Sequence, residues 1–357
     1  MLLNKSFKIY LNYNLKSIYN NIKFRLRKLY FTLITNHYYS YFDKKFVNIK
    51  SQGNILKKFK YDKINIDIYK LKNIKIYSFL GLILNDKNLP INIYDNKIFQ
   101  KKKSLRFFMP LILKNNLNRI KGNTIFFCNQ GRNIFNYFHF IFDLGIQLFV
   151  LKKNKVKINN LILFSKKNSN REIFIKYFYP DIKIIYYKKN EIIKVDNLIV
   201  LKTYYFSKHL GKNMSKLFIE YQRFIKNKTK NKKNKNFNKI IFINRHESRK
   251  LSNISNFRNN INFEEIFFLP HQTLDYQSSV IKNSKKVIGL HGAGMANIIF
   301  ANKNTSIIEL IPLYYPNSCY EDLSKSLGLK YKQFVLQQNL FKKNFLSKID
   351  INTIKNI

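Results

Sequence analysis

Three groups of residues in this chain have the types and spacing to do chemistry. The first is His291 with Gly292, Ala293 and Gly294, which follows the β-branched apolar run Lys286 to Leu290 and precedes a short helical stretch, Ala293 to Ala301. A helix that starts at a glycine turn points free backbone N–H groups and the positive end of its dipole at whatever fills the space ahead, which suits a diphosphate. Glu309 stands among apolar neighbours in the next strand, Thr305 to Ile311, near the carboxyl end where open α/β sheets place ligands. It is available for a sugar or ribose hydroxyl. The second group is Arg245 and Arg249, one helical turn apart after the strand Lys239 to Asn244. Guanidinium forks match phosphate oxygens. The third is Asn136, His139 and Asp143, which share one side of an otherwise apolar and aromatic helix capped at Asn133 after the turn Gln130-Gly131. Polar residues on a buried face either bond to one another as a structural network or line a cleft and act on substrate.

Several familiar chemistries are absent. HGAG lacks the Gly-Lys-Ser/Thr of a Walker loop, GLHGAGMA does not fit GxGxxG, and no GxSxG elbow occurs. Cys128 and Cys319 make no disulfide framework and have no metal-ligand spacing, and Asp181, Asp196 and Asp275 stand alone.

The elements that must position these groups alternate. Strands at Leu161 to Phe164, Ile182 to Tyr187 and Asn197 to Leu201 surround a helix near Ser169 to Phe178, and a second series runs from Lys239 through IFFLP, the helix Leu274 to Asn283, the strand Lys286 to Leu290, the helix Ser318 to Leu327 and the strand Tyr331 to Leu336. Such alternation argues parallel sheets with helices on their faces. Short β-rich runs between Ile64 and Phe99 read as a small antiparallel meander ahead of the main sheet. The expected organisation is a basic aromatic extension over 1–60, an α/β unit with the meander over 61–212, a linker over 213–238 ending in a Lys/Asn run, and a second α/β unit over 239–357.

Composition narrows the class. The 66 Lys and Arg against 19 Asp and Glu give +47, spread along the whole chain together with Asn, Ile, Tyr and Phe. That spread resembles drift toward AT-rich codons, and no recognisable nucleic-acid motif or localised basic stripe accompanies it, so no specific nucleic-acid partner is expected. No apolar run reaches the ~18 residues of a spanning helix. Residues 1–50 interleave Lys and Arg with aromatics, a pattern for packing on the adjacent domain or for contact with an anionic membrane surface.

The three groups, in this order, resemble glycosyltransferase family 61. HQTLDYQSSVIKNSKKVIGLHGAGMANIIFANKNTSIIELIP is similar to that family's C-terminal signature, NYFHFIFDLGIQL to its Asn-Tyr-x-His-x-x-x-Asp helix, and FINRHESRK to its Arg-containing strand end. Phe140 stands where the family usually has Trp, and Met295 where Leu is frequent. The resemblance covers about residues 65–335. It implies a GT-B fold, with two Rossmann-like domains facing across a cleft, and transfer with inversion from a nucleoside-diphosphate sugar to a hydroxyl of a glycan or glycan precursor. The donor side would comprise Arg245, Arg249, His291, Gly292, Ala293, Gly294, Met295, Asn297 and Glu309, and the acceptor side Asn136. Either His139 oriented by Asp143, or Asp143 itself, would be the base. With no Asp-x-Asp metal motif in a suitable loop, arginines and a helix N-terminus would replace a divalent cation, and no other cofactor is expected. The resemblance and the missing secretory anchor together suggest a cytoplasmic enzyme, peripheral at the inner face of the cell membrane. The competing expectations are a basic nucleic-acid-binding protein that stacks bases on its aromatics and a catalytically inactive scaffold with the same motifs.

Overall fold

The computed structural model describes residues 47–61, 64–77, 82–87, 91–92, 118–127, 136–163, 167–187, 192–201, 206–209, 215–229, 240–245, 249–269, 271–313, 315, 317–338 and 344–357. Residues 1–46 of the basic aromatic stretch 1–50, Cys128, the Gln130-Gly131 turn, the Asn133 cap and the Lys/Asn run over 230–238 lie outside these residues.

Two sheets form from the two alternating series. The N-terminal sheet holds β1 (Gly53–Tyr61), β2 (Ile64–Tyr77), β3 (Leu82–Leu84), β4 (Asn118–Phe127), β5 (Asn160–Leu163), β6 (Lys183–Tyr186) and β7 (Ile192–Leu201). Its order is β1-β2-β7-β4-β5-β6, with β3 on β2. The antiparallel meander expected ahead of the main sheet is present and joined to it: β2 pairs antiparallel with β7, Ile68 with Leu201 through Tyr77 with Ile192, so the meander is one wing of the main sheet. The physical reason is burial. Ile66, Ile68, Leu71, Ile74 and Ile76 of β2 are fully covered, which a free-standing hairpin could not achieve. The sheet also begins at Gly53, inside the stretch expected as an extension. Strands β7, β4, β5 and β6 are parallel.

The C-terminal sheet holds β8 (Ile240–Ile243), β9 (Glu264–Ile266), β10 (Lys286–Leu290), β11 (Ser306–Pro312), β12 (Lys330–Gln338) and β13 (Asn344–Phe345) in the order β9-β8-β10-β11-β12-β13. All pairs but the last are parallel. Runs such as IIFI and KVIGL are apolar on both faces because helices cover both. Its first five strands follow the 2-1-3-4-5 order of a doubly wound sheet, so connections diverge between β8 and β10. In the N-terminal sheet they diverge between β4 and β7.

Helix α1 spans residues 137–153, with α-helical ends at Tyr137–His139 and Gly145–Lys153 and a π-helical turn at Phe140–Leu144. Its cap within the described residues is Asn136, whose Oδ1 accepts from the Phe138 N–H. Every residue from Phe138 to Leu151 is buried. The longer α-helices after α1 are α2 (Ser169–Lys176), α3 (Ser215–Lys228), α4 (Ile254–Asn260), α5 (Leu274–Lys282), α6 (Cys319–Leu327) and α7 (Lys348–Asn356). Helix α3, the helical part of the expected linker region, ties the two units together. Its Tyr221 hydroxyl donates to the Ile141 carbonyl at 2.7 Å, and Gln222 Nε2 donates to the Ile299 carbonyl at 2.8 Å.

Gly145 is where α1 and α3 meet. A Cβ there would lie 2.2 Å from Tyr221 Oη and 2.9 Å from Phe174 Cζ. Gly145→Ala is therefore expected to cost about 1–3 kcal/mol through overpacking, read as a lower denaturant midpoint with unchanged slope. Among the described residues no helix is long and apolar enough to cross a membrane.

Candidate active site

Both divergence points open onto one cavity of about 650 Å³. Open α/β sheets bind ligands at such points because loops leaving the carboxyl ends of adjacent strands part there and leave a crevice. From the N-terminal unit the lining includes Asn136, His139 and Ser207, and from the C-terminal unit Arg249, His291, Gly292, Ala293 and Tyr315.

On the N-terminal side, His139 Nδ1 lies 2.7 Å from Asp143 Oδ2. Asp143 is 1% exposed and does not reach the cavity. The Ser207 N–H donates to Asp143 Oδ1 at 2.9 Å and the Ser207 hydroxyl to Oδ2 at 3.1 Å. With Ser207 donating to both oxygens, the remaining contact of Asp143 is the Nδ1 of His139, which donates to it in the Nδ1–H tautomer. Nε2 is left as the ring nitrogen for the cavity, with a lone pair in the neutral ring. The π-helical turn that carries Asp143 is a local distortion of the kind that recurs at functional sites, and no periodicity in the sequence announces it.

On the C-terminal side a second His–carboxylate pair faces the first. His291 Nδ1 is hydrogen-bonded to Glu309 Oε1, and the Tyr331 hydroxyl donates to Glu309 Oε2 at 2.5 Å. Glu309 is completely buried. It therefore differs from the expected ligand of a sugar hydroxyl: both its oxygens are taken by protein groups, and it orients His291. Burial and the Glu309 charge push the Tyr331 hydroxyl far above its ordinary range, keeping it a donor.

The arginines divide the work. Arg245 Nη1 donates to the His291 carbonyl at 3.1 Å, and the Tyr320 hydroxyl donates to the Gly292 carbonyl at 2.5 Å, so the glycine turn is held from two sides. Arg245 does not line the large cavity; Arg249 does. Arg249 takes a left-handed φ of 62°, a conformation side-chain-bearing residues seldom adopt, with its guanidinium 4.7 Å from the Tyr315 ring centroid. Its buried Nη1 has no hydrogen-bond partner among the described residues. The Tyr315 ring also lies 4.9 Å from His291. A guanidinium N–H that lines the cavity, with the Tyr315 ring against both Arg249 and His291, has the chemistry to donate to an anion oxygen.

The expected helix after HGAG is present but wound as a 3₁₀ helix, Ala293–Phe300. Ala293 and Gly294 are at its mouth, while Met295 and Asn297 are not. Met295 is wholly buried, its sulfur occupying the space that a Cβ on Gly289 would fill. Asn297 is also wholly buried. It accepts from the Tyr137 hydroxyl at 2.9 Å and donates to Gln277 Oε1 at 3.0 Å, locking the two units. Both departures from the donor-binding expectation have one cause: on this tight helix only the first residues reach the crevice.

Ser207, Tyr315, Tyr320 and Tyr331 are the residues that sequence reasoning missed. Ser207 and Tyr315 follow β7 and β11 at their carboxyl ends, so strand order, once known, would have flagged them. Cys319 also lines the cavity, but burial and the charges of Glu309 and Asp322 push its thiol well up, so it is no thiolate nucleophile. Among the described residues no three His, Cys, Asp or Glu side chains converge as a metal site.

Comparison with known proteins gives two findings. The family model described as Glycosyltransferase 61 matches residues 137–308, a span that holds both His–carboxylate pairs but for Glu309. A Beta-1,2-xylosyltransferase of Arabidopsis thaliana is 35% identical over 63 residues, an alignment covering 18% of this chain and 12% of that protein.

Proposed function

Taking as premise that this chain, through residues 137–308, is a member of glycosyltransferase family 61, we propose that it transfers a sugar, with inversion, from a nucleoside-diphosphate donor to a hydroxyl of a glycan. The two units would be the halves of a GT-B enzyme. The observation that carries this reading is one cavity lined on one side by His139, hydrogen-bonded to Asp143, and on the other by Arg249 and His291.

Inversion needs a base on the acceptor hydroxyl, opposite the leaving group. His139 Nε2 takes the hydroxyl proton as the oxygen bonds to the anomeric carbon and the bond to the diphosphate breaks. Asp143 stabilises the resulting imidazolium and fixes the tautomer. Arg249, His291 and the N–H groups at the mouth of the 3₁₀ helix hold the departing diphosphate, supplying positive charge where negative charge grows. This assigns the base to His139 and leaves Asp143 as its orienting partner. The Arabidopsis relative is a xylosyltransferase by name, which makes a pentosyl donor the first to try.

The test is a thermal-shift panel of UDP, GDP, CDP, ADP and UDP-sugars, without added metal, followed by a product assay for the anomer. At a hundredfold excess over Kd a ligand adds about 2.7 kcal/mol to the native state, which raises Tm. A panel in which no nucleotide raises Tm sinks the reading.

A further inference from the structure

A second cavity of about 260 Å³ lies beside the first, and the two share Asn136 and Ala293. It is lined mostly by apolar atoms and built by both units. The N-terminal unit gives Phe140 and, at the start of α2, Asn168 and Arg171, and the C-terminal unit gives the loop after β9, with Phe268, Leu269 and Gln272. The units are tied at its edge, where Asn170 Nδ2 donates to the Gln272 carbonyl at 2.9 Å. Arg171 lies over the Phe140 ring, its Cζ 5.0 Å from the centroid, while Phe268 is only half-buried and lines the space.

The glycine turn separates the cavities, and that fixes what each can hold. A diphosphate seated at the turn has two substituents leaving it in different directions. The reacting sugar must leave on the side of His139, because the base and the acceptor are there. The other substituent is the nucleoside, and the space remaining on the other side of the turn is the smaller cavity. That cavity suits a base: apolar walls and an aromatic ring for the face, and amides and a guanidinium for the edge. Resting on the glycosyl-transfer reading, we propose that this cavity binds the nucleobase of the donor, and that α2 of the N-terminal unit reads the base together with the β9 loop. The donor is then held by both units rather than by the C-terminal unit alone.

Calorimetric titration of the full chain with UDP, GDP, CDP and ADP, and separately with inorganic diphosphate, tests this. Phe268→Ala is expected to weaken the preferred nucleotide roughly tenfold or more, the loss of one stacking face, and to leave inorganic diphosphate unchanged. Arg171→Met keeps the stem on Phe140 and removes the guanidinium. It is expected to change the ratio of affinities among the four nucleotides, again without effect on diphosphate. A wild type that binds no nucleotide sinks the glycosyl-transfer reading and this one with it. A wild type that binds nucleotides, with variants that lose no more nucleotide than diphosphate affinity or change only the acceptor KM, overturns this proposal alone.

Discussion

His139→Ala is expected to lower kcat by about 10²–10⁴, the contribution of a positioned general base, while the Kd for the donor nucleotide stays within a factor of two or so. The separation follows from geometry. His139 touches Asp143 behind it and the cavity in front, and the donor's phosphates are assigned to Arg249 and His291 across the space. Asp143→Asn is expected to lower kcat as well, and His139→Gln decides between the two bases that the spacing left open. The Asp143 carboxylate is 1% exposed and accepts from the Ser207 N–H and hydroxyl as well as facing His139. An amide in its place keeps the shape but offers an N–H to Nδ1 or loses an acceptor for Ser207, so the imidazole turns to the wrong tautomer. Loss of kcat with a preserved melting temperature is expected for both variants. If Asp143 were itself the base, His139→Gln would retain most of the rate, and single-turnover kinetics at saturating donor would show it.

How far the sequence carried this depends on the kind of constraint. The parallel strands and their helices were legible because fully buried runs such as Lys286 to Leu290 have no other stable place in a domain this size. The pairing of β2 with β7 was not, since strand order between segments far apart in sequence depends on which faces find cover, not on local periodicity. Helices α4 and α7 were also missed: they carry few apolar residues, and the fully buried ones among them are Phe257, Ile351 and Ile354. In the site, residue types were readable and partners were not. His139 and Asp143 were visible as a pair on one helix face, yet the π-helical turn and the two hydrogen bonds from Ser207 that hold Asp143 come from tertiary structure. Glu309 was noticed because a carboxylate in an apolar strand needs a reason. The reason is His291 and Tyr331, which a ligand-centred reading of one strand could not supply.

Gly292→Ala is the second large effect, and its cause is an unusual steric one. The glycine has an extended φ of 169°, which any residue can adopt, so backbone strain is not the issue. A Cβ would lie 1.6 Å from Arg245 Nη1 and 2.8 Å from its Cζ. The arginine must therefore move, and because its tip is flexible the fold survives with a small loss of stability. What it gives up is the hydrogen bond to the His291 carbonyl, one side-chain restraint on the turn; Tyr320, holding the Gly292 carbonyl, is another. With one restraint gone, His291 and the mouth of the 3₁₀ helix shift against the diphosphate, and donor affinity is expected to fall about tenfold or more, the effect of misplacing one or two charge-assisted hydrogen bonds. Arg245→Ala should weaken the donor for the same reason by another route. The double variant has no clash, because the group that collided with the new methyl is gone, so its loss should be no greater than that of the worse single variant. The coupling would be about 0.5–3 kcal/mol in a double-mutant cycle, as for residues in direct contact. Strictly additive losses would mean that Arg245 meets the donor phosphate itself and that its contact with the turn is incidental.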